Sequence, residues 1–339
     1  MKKLSSIFIV YILILTGCST GTGQSKADYT IGICNYVDDA SLNQINDSIL
    51  SRLDELSKQN NITIDVNYDN ANADANLMSQ IINNFIVDNV DLMVGIATPV
   101  AMNMQALTQD NHIPVVFAAV SDPVGSQLVD SLDKPGSNLT GTSDYLDTAS
   151  IMNLIFALNP DIKKIGLLYD LSQDGSITSI SEAKAILNSK GIEIIEKTGG
   201  NVEEIRLAAQ SLINEKVEAI FTPSDNTVMI SQLSIYESLL DAGIPHFAGA
   251  DSFALNGSFV GYGVDYANLG KETADMIFDI LVNKKDISTY PVKTFDNGIV
   301  TINNEAIDKL GLDLNNLNKI FEPYCTKIQT IDTAEDFGE

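Results

Sequence analysis

From Tyr29 onward the chain alternates short continuous apolar runs with longer stretches that have an apolar residue at every third or fourth position. The run YTIGICNYV predicts a strand, and the spacing of Leu42, Ile45 and Ile49 predicts the helix after it. The runs ITIDVNY, VDLMVGIA and IPVVFAAV predict three more strands, each preceded by a helical pattern. Because most of these strands are apolar throughout, they predict a parallel sheet with helices on both faces.

The same succession starts again in the second half of the chain. IGICNYVDDAS is echoed by IGLLYDLSQDGS, VDLMVGIATPVA by VEAIFTPSDNTV, and HIPVVFAAVSDP by GIPHFAGADSFA. One such pair is expected by chance among strand–helix units, whereas three pairs in the same order indicate two similar halves. We therefore predict an α/β fold of two similar doubly wound parallel-sheet lobes, joined by a hinge of several strands.

The N-terminal segment has the layout of an export signal. Two lysines precede the apolar run IFIVYILIL, which is shorter than the ~20 residues of a membrane-spanning helix. The small residues that follow, ending in Cys18, resemble a bacterial lipobox, in which the cysteine carries a lipid. We expect a lipoprotein signal peptide at 1–17, lipidation of Cys18 and a flexible tether at 18–28. The simpler alternative is an ordinary secretory signal with a chance cysteine.

Composition narrows the choice of partners. Among 339 residues, 45 Asp and Glu outweigh 20 Lys and Arg, so a net charge of −25 gives the overall field no attraction for nucleic acid or anionic lipid. Cys34 lies in an apolar run and is expected in the core, with a disulfide to Cys325 left open. His112 and His246 each flank an Ile-Pro pair and are assigned structural roles. We predict no metal site and no cofactor.

Ligands of doubly wound sheets bind beyond the carboxyl ends of the strands, where turns present side chains and helix N-terminal amides. The candidate ligand-binding residues are those in and beside these turns: Tyr36, Asp38, Asp39, Thr98, Phe117, Ser121, Asp122, Ser143, Tyr145, Tyr169, Ser224, Asp225, Asn226 and Asp251. Hydroxyls and free N–H groups suit a carboxylate and aspartates suit an ammonium, so the set favours a zwitterion. For Thr98 and Asp122, each followed by proline, helix capping is the simpler role.

Several segments together resemble a known family. IATPVA, FAAVSDPVGSQLV, KPGSNLTGTSDY, PSDNTV and GYGVDYANLG are similar to signatures of ABC-transporter substrate-binding lipoproteins of the tryptophan/tyrosine-binding type. The resemblance runs from about Ile31 to about Leu310. It implies a periplasmic-binding protein type I fold that captures an amino acid, often aromatic, and passes it to a membrane permease driven by a separate ATPase. The protein would be a monomer, not an enzyme, anchored by lipid outside the bacterial cell membrane.

The same resemblance assigns roles to some of the candidate residues. Thr98 and Ser121 fall where the family holds the ligand carboxylate, and Asp225, Asn226 and Asp251 fall near the amino group. The first turn departs from the pattern, because relatives often have Glu-His-Pro where this chain has Asp-Asp-Ala at 38–40. An added aspartate there would favour a hydroxyl-bearing or cationic ligand over a purely apolar one.

Glycine-bearing segments mark the expected passages between the lobes, near 141–145, 260–263 and 290–292. They divide the chain into lobe 1 (29–143 and 262–288), lobe 2 (144–261 and 289–325) and a tail (326–339) with no assigned role. Three other functions stay open: an enzyme using Asp122, Asp225 or Asp251 as a base, a sugar- or nucleoside-binding protein of the same fold, and a surface sensor or adhesin.

Overall fold

Two β-sheets, one at the centre of each lobe, organise the chain. The computed structural model describes residues 27–295, 298–334 and 337, so the predicted signal peptide, Cys18 and most of the predicted tether lie outside the described residues. The strands are β1 (Tyr29–Asn35), β2 (Ile64–Asn70), β3 (Leu92–Ile96), β4 (Val115–Ala118), β5 (Leu139–Ser143), β6 (Lys164–Tyr169), β7 (Glu193–Thr198), β8 (Ala219–Thr222), β9 (His246–Ala248), β10 (Val260–Gly263), β11 (Lys293–Thr294), β12 (Ile299–Asn303) and β13 (Lys327–Ile331). The helices are α1 (Ala40–Asn60), α2 (Ala75–Val87), α3 (Thr98–Leu107), α4 (Thr148–Leu158), α5 (Asp174–Ser189), α6 (Val202–Asn214), α7 (Asn226–Asp241), α8 (Asp251–Leu255), α9 (Tyr266–Leu281), α10 (Asn304–Leu310) and α11 (Leu314–Phe321).

The two sheets share one topology. The first has the order β11-β5-β4-β3-β1-β2 and is parallel throughout. The second has the order β13-β12-β10-β9-β8-β6-β7 and is parallel except where β10 meets β12. The central order β5-β4-β3-β1-β2 therefore recurs as β10-β9-β8-β6-β7. The predicted pair of similar doubly wound lobes is confirmed.

The chain passes between the lobes three times, the first time at the predicted position and the other two times a few residues after it. It leaves the first sheet after β5, returns after β10 when α9 packs on α1, and crosses again between β11 and β12. Tyr262 thus belongs to lobe 2, where it is buried, rather than to lobe 1. β11 at Lys293–Thr294 pairs with β5 and so belongs to lobe 1, whereas the sequence predicts that lobe 2 begins at residue 289. Both strands are too short for a periodicity that fixes their sheet.

The predicted tail also contributes to the fold. β13 pairs in parallel with β12 and adds an edge strand to the second sheet. Its side chains are half-buried or exposed, and a run of this kind resembles a polar terminus in sequence. Lobe 2 therefore continues to Ile331, beyond the predicted limit at 325.

Cys34 and His246 have structural surroundings, whereas His112 is exposed. Both described cysteines are free, so the disulfide left open from sequence does not form; Cys34 is buried in lobe 1, as predicted. His246 is buried in lobe 2, where its Nε2 lies 2.8 Å from Thr222 Oγ1. Burial lowers the pKa of its imidazole to about 3, so the ring is neutral, in keeping with a structural role.

Candidate ligand-binding site

A cavity lies between the lobes, at the carboxyl ends of both sheets. It is lined from both sides by Asp39, Ser41, Leu42, Ala97, Thr98, Ala119, Ser121, Asp144, Gln173, Gly175, Ser224, Asn226, Met229, Ala250 and Tyr266. Its volume is about 30 Å³, comparable with one or two water molecules. The lobes are therefore closed on each other, and a ligand of amino-acid size requires them to separate.

Six helices begin at this cavity: α1, α3, α5, α7, α8 and α9. Aspartate side chains cap α1, α7 and α9, because Asp39 accepts the N–H groups of Ser41 and Leu42, Asp225 accepts that of Val228 and Asp265 accepts that of Asn268. No side chain caps α3, α5 or α8, whereas every other α-helix of the described chain has an Asp or Asn cap. Free N–H groups at a helix start favour a negatively charged group, so the uncapped ends point to an anion site.

The predicted caps at the two prolines are wrong. Thr98 is the first residue of α3 rather than its cap, and the residue before it, Ala97, has no side chain that can accept a hydrogen bond. Asp122 accepts the N–H of Gly125 at 2.8 Å and so closes a turn, with no helix after it. The hydroxyl of Thr98 is consequently available to the cavity.

The starts of α3 and α5 meet across the cleft. A Cβ atom at Gly175, in the first turn of α5, would lie 3.3 Å from Thr98 Oγ1 and 3.6 Å from Ser121 Oγ. The glycine therefore permits a close approach of two uncapped helix ends from opposite lobes. Two hydroxyls lie beside the same point, which suits a carboxylate.

Two alanines in lobe 1 hold unusual backbone conformations at the cavity wall. Ala97 follows β3 with φ of 77°, and Ala119 follows β4 with φ of 53°, both in the region that favours glycine. Their strands are adjacent, and the N–H of Ala97 donates to the carbonyl of Ala118 at 2.9 Å. These turns direct Thr98 and Ser121 to the cavity. Strained non-glycine residues of this kind concentrate at binding sites.

Three carboxyl groups lie in or beside the cavity: Asp39, Asp144 and Asp251. Ser121 Oγ donates to Asp144 at 3.0 Å, and Ser41 Oγ, from the opposite lobe, donates to Asp251 at 2.7 Å. Burial raises the pKa of Asp39 to about 7 and the pKa values of Asp144 and Asp251 to about 6. No lysine or arginine lines the cavity, so nothing in the described part of its wall offsets these charges.

Tyr266 stands among the three carboxyl groups. It is the first residue of α9 and is almost fully buried. Burial, and after it the charges of Asp144, Asp251 and Asp39, raise the pKa of its hydroxyl well above the ordinary value. The ring therefore stays neutral and presents an aromatic surface to the acidic side of the site.

The structure brings together about half of the predicted residues. Asp39, Thr98, Ser121, Ser224 and Asn226 line the cavity. Asp251 lies beside it and binds Ser41 across the cleft. Tyr36 forms a hydrogen bond with the side chain of Gln173, a cavity residue of the opposite lobe.

The other predicted residues do not line the cavity. Phe117 is fully buried in the core of lobe 1, and Ser143 Oγ donates to the carbonyl of Ser121 and accepts the N–H of Tyr145. Tyr169 donates to Glu196 on the neighbouring strand, and Asp225 accepts from Asp170 N and Ser176 Oγ inside lobe 2. Asp38 is exposed and accepts from Asn43, Tyr145 is partly exposed beside Glu182, and Asp122 bonds across the cleft outside the cavity.

Sequence reasoning missed several residues of the wall, namely Ser41, Leu42, Asp144, Gln173, Met229 and Tyr266. Asp144 lies between two predicted residues, in the quoted segment KPGSNLTGTSDY, and Tyr266 lies in GYGVDYANLG. Both are at crossings between the lobes rather than at strand-to-helix turns. Crossing segments of a two-lobed fold also border its cleft, and that signal was present in the sequence.

Residues 30–319 match a family model described as ABC transporter substrate binding protein, which is most of the chain. The chain belongs to this family. Such proteins bind a transporter's substrate outside the cytoplasm and do not convert it. This substrate-binding protein is 30% identical over 324 residues to a tyrosine-binding protein of Clostridioides difficile (strain R20291), covering 92% of this chain and 93% of the relative.

Two solved structures resemble the substrate-binding protein to different degrees. A Streptococcus pneumonia ABC domain in complex with L-Trp has a TM-score of 0.81 at 29% identity, covering 88% of this chain and 99% of that one. A ligand-free, open substrate-binding protein with adhesive properties from Clostridium difficile has a TM-score of 0.67 at 28% identity, covering 90% and 100%. The lower TM-score against the structure described as open agrees with lobes that are closed here.

Proposed function

We propose that this substrate-binding protein captures a free aromatic amino acid, tyrosine or tryptophan, for an ABC importer. Two similarities support the ligand class: the 30% identical relative is named a tyrosine-binding protein, and the 29% identical structure holds L-Trp. The observation that carries the proposal is the cavity itself, where uncapped helix starts lie close to two buried carboxyl groups and a half-buried one. The helix starts suit the carboxylate of an amino acid, and the carboxyl groups suit its ammonium.

The ligand carboxylate binds where α3 meets α5. Each helix start carries a partial positive charge, so the two ends repel until an anion lies between them. The hydroxyl of Thr98 supplies a further donor, and that of Ser121 becomes one if it turns from Asp144 to the ligand. Because the donors come from both lobes, a carboxylate held there favours the closed arrangement over the open one.

The ligand ammonium binds on the acidic side, near Asp39, Asp144 and Asp251. Buried carboxylates without a cation are costly, and a ligand ammonium offsets that cost. This assignment retains Asp251 from the sequence-based roles, replaces Asp225 with Asp39 and Asp144, and leaves Asn226 on the cavity wall. Leu42, Met229 and the ring of Tyr266 supply apolar surface for the ligand side chain.

A sugar fits this wall less well. Sugar clefts usually employ tryptophan for stacking and arginine for hydroxyl groups, and the chain has no Trp. Its two arginines, Arg52 on α1 and Arg206 on α6, bind Glu55, Asp275 and Glu203 outside the cavity. The charged wall thus favours an amino acid.

The surroundings of the protein are part of the proposal. A monomer tethered by lipid on Cys18 outside the cell membrane would hand its ligand to a permease driven by a separate ATPase. Membership of the transporter family supports the permease as partner. In the described part of the chain, no helix is both long and apolar enough to span a membrane.

Calorimetric titration of the protein, stripped of carried-over ligand by unfolding and refolding, tests the ligand class. We expect tyrosine or tryptophan to bind with a micromolar or tighter Kd. Tyramine, which lacks the carboxylate, and 3-(4-hydroxyphenyl)propionate, which lacks the amine, should each bind about tenfold or more weakly than tyrosine. Heat from myo-inositol or a nucleoside, with none from any amino acid, would overturn the proposal.

A further inference from the structure

One contact joins the lobes outside the ligand cavity. Thr178 Oγ1, on α5 of lobe 2, donates to Asp122 Oδ2 of lobe 1 at 2.7 Å. Neither residue lines the cavity, and both are only partly buried. Asp122 therefore has a partner in the opposite lobe rather than in the ligand site where the sequence suggested it.

Lobe 1 holds the Asp122 carboxylate ready for this contact. Its other oxygen, Oδ1, accepts the backbone N–H of Gly125 at 2.8 Å, three residues further along the same turn. A Cβ atom at Gly125 would collide with the carboxylate, so glycine is what allows the turn to close so tightly. The carboxylate is thus fixed by its own lobe, and Oδ2 is left for the other one.

The two partners are coupled by the chain to the ligand cavity. Asp122 directly follows Ser121, and Thr178 lies one turn of α5 beyond Gly175; both of those neighbours line the cavity. The contact can form only when the start of α5 reaches the start of α3. That is the movement that brings both helix ends to a ligand carboxylate.

We propose that Asp122 and Thr178 form an interlobe clasp, which holds the closed state and slows ligand release without touching the ligand. The proposal rests on the proposed function, since it assigns the clasp to the same opening and closing. In this reading Asp122 and Thr178 are positioning residues. Their loss should raise the dissociation rate, and it should also raise the association rate as far as the ligand-free protein opens more often, because the ligand enters while the lobes are apart.

The test compares Thr178→Val, which keeps the side-chain shape and removes the donor, with Thr178→Ser, which keeps the donor. Because the chain has no Trp, the fluorescence of bound L-tryptophan reports its own release in stopped-flow displacement by excess L-tyrosine. We expect release from Thr178→Val to be about three- to tenfold faster than from the wild type, and from Thr178→Ser within about twofold. Ser181→Ala, at an exposed position on the same helix, is the matched control and should match the wild type.

Small-angle X-ray scattering of the ligand-free proteins separates this proposal from the ligand assignment. We expect a larger radius of gyration for Thr178→Val than for the wild type and Thr178→Ser. If no amino acid binds any variant but this difference is present, the clasp stands and the proposed ligand class fails. If Thr178→Val matches the wild type in radius of gyration and, where L-tryptophan binds, in release rate, the clasp is refuted.

Discussion

The buried aspartates fall into two groups by what their oxygens contact. Asp225 accepts hydrogen bonds from Asp170 N, Ser176 Oγ and Val228 N, all within lobe 2. Asp144 lines the cavity and accepts from Ser121 Oγ. Burial raises the pKa of both to about 6, so a shifted pKa does not distinguish them. Their hydrogen-bond partners distinguish them, and we therefore expect substitution by asparagine to affect binding at Asp144 and stability at Asp225.

Asp144→Asn should weaken amino-acid binding and leave the fold intact. The change removes a buried negative charge from the acidic side of the cavity, and a charged hydrogen bond of this kind contributes about 1.5–3 kcal/mol, or roughly ten- to a hundredfold in Kd. Titration with tyrosine measures the loss. Asp161→Asn, at an exposed site in lobe 2, is the control. A Kd equal to that of the wild type would remove Asp144 from the site.

Asp225→Asn should instead lower the free energy of unfolding. The new amide can keep an oxygen at only one of the two carboxylate positions, so its NH2 would face either the N–H of Val228 or the donors from Asp170 and Ser176. Leaving these buried groups without an acceptor costs about 1–3 kcal/mol, seen as a lower midpoint in urea. Lost tyrosine binding with an unchanged unfolding midpoint would instead return Asp225 to the ligand site.

At the scale of elements, the turns after β3 and β4 contain strained residues that lower stability but direct side chains to the cavity. Ala97 adopts φ of 77° and ψ of 154°, a region that is nearly closed to residues with a Cβ. Such a residue costs on the order of 1–3 kcal/mol. The turn leaves α3 uncapped and brings its first residue, Thr98, to the cavity, so the strain is located where it serves binding.

Ala97→Gly should therefore stabilise the protein. Glycine removes the backbone strain, which stabilises the folded protein. Its greater freedom in the unfolded chain lowers the stability again by about 0.5–1 kcal/mol, so the free energy of unfolding should rise by about 1 kcal/mol in total. Urea unfolding of the ligand-free protein measures it. Ala101→Gly, in the regular interior of α3, is the control and should destabilise by about 1 kcal/mol. Equal losses in both variants would mean that the turn is not strained.

Regular elements were the part of the fold that sequence predicted best. The apolar spacing of Ile45, Ile49 and Leu53 marks a face of α1 that is indeed buried, and the repeated strand–helix succession corresponds to the recurring strand order. Periodicity is a property of long segments, which explains why the sequence assigns two-residue β11 and the last two residues of four-residue β10 to the wrong lobe. Helix caps at Asp39 and Asp225 are local and were likewise visible as turn residues.

Side-chain direction could not be predicted from the same signals. Phe117 and Tyr169 occupy strands whose ends border the cleft, yet both turn into their own lobe. Alternation along a strand settles which face a residue takes only when one face is polar, and these strands are buried on both faces. The sequence does not identify Asp144 and Tyr266 because they reach the cleft from crossings between the lobes, and these segments have no periodic pattern.

At the scale of the molecule, hydrogen bonds between the lobes surround one small cavity. Ser41 bonds Asp251 on one side, Thr178 bonds Asp122 on another, and Tyr36 bonds Gln173 between β1 and β6. A ligand that contacts both lobes stabilises this closed state further, whereas these hydrogen bonds must break before a ligand can enter the cavity. The balance between the two states therefore sets both affinity and rate.

The attachment point of the predicted tether lies away from the cleft. β1 begins at Tyr29, and the cleft is at the carboxyl ends of the strands, so the chain enters lobe 1 at the opposite end. Cys18→Ala should accordingly release the protein from the membrane fraction of cells and leave tyrosine affinity unchanged. Fractionation and titration measure the two effects. Continued membrane association of the variant would defeat the lipid anchor at Cys18.

Acidic groups in the cleft make stability and binding respond to pH in opposite directions. The pKa values of Asp39, Asp144 and Asp251 are raised by burial to between about 6 and about 7, above the values of an unfolded chain. The folded, ligand-free protein therefore keeps protons that the unfolded chain has released, and its stability falls as pH rises from about 4 through 7. A ligand ammonium favours the ionised forms, so binding gains over the same interval.

Between pH 5 and pH 7.5, we expect the unfolding free energy and the affinity for tyrosine to change in opposite directions. The unfolding free energy of the ligand-free protein should decrease by about 2 kcal/mol or more, while the affinity for tyrosine increases about tenfold or more, since each pKa unit corresponds to about 1.4 kcal/mol. The amine-free analogue 3-(4-hydroxyphenyl)propionate should bind no better as pH rises, because it brings no ammonium to the carboxylates. Asp39→Asn should flatten the upper part of both profiles, since Asp39 has the highest of the three values. Parallel profiles for tyrosine and the analogue would show that the ammonium lies elsewhere and that the acidic side of the cavity does not bind it.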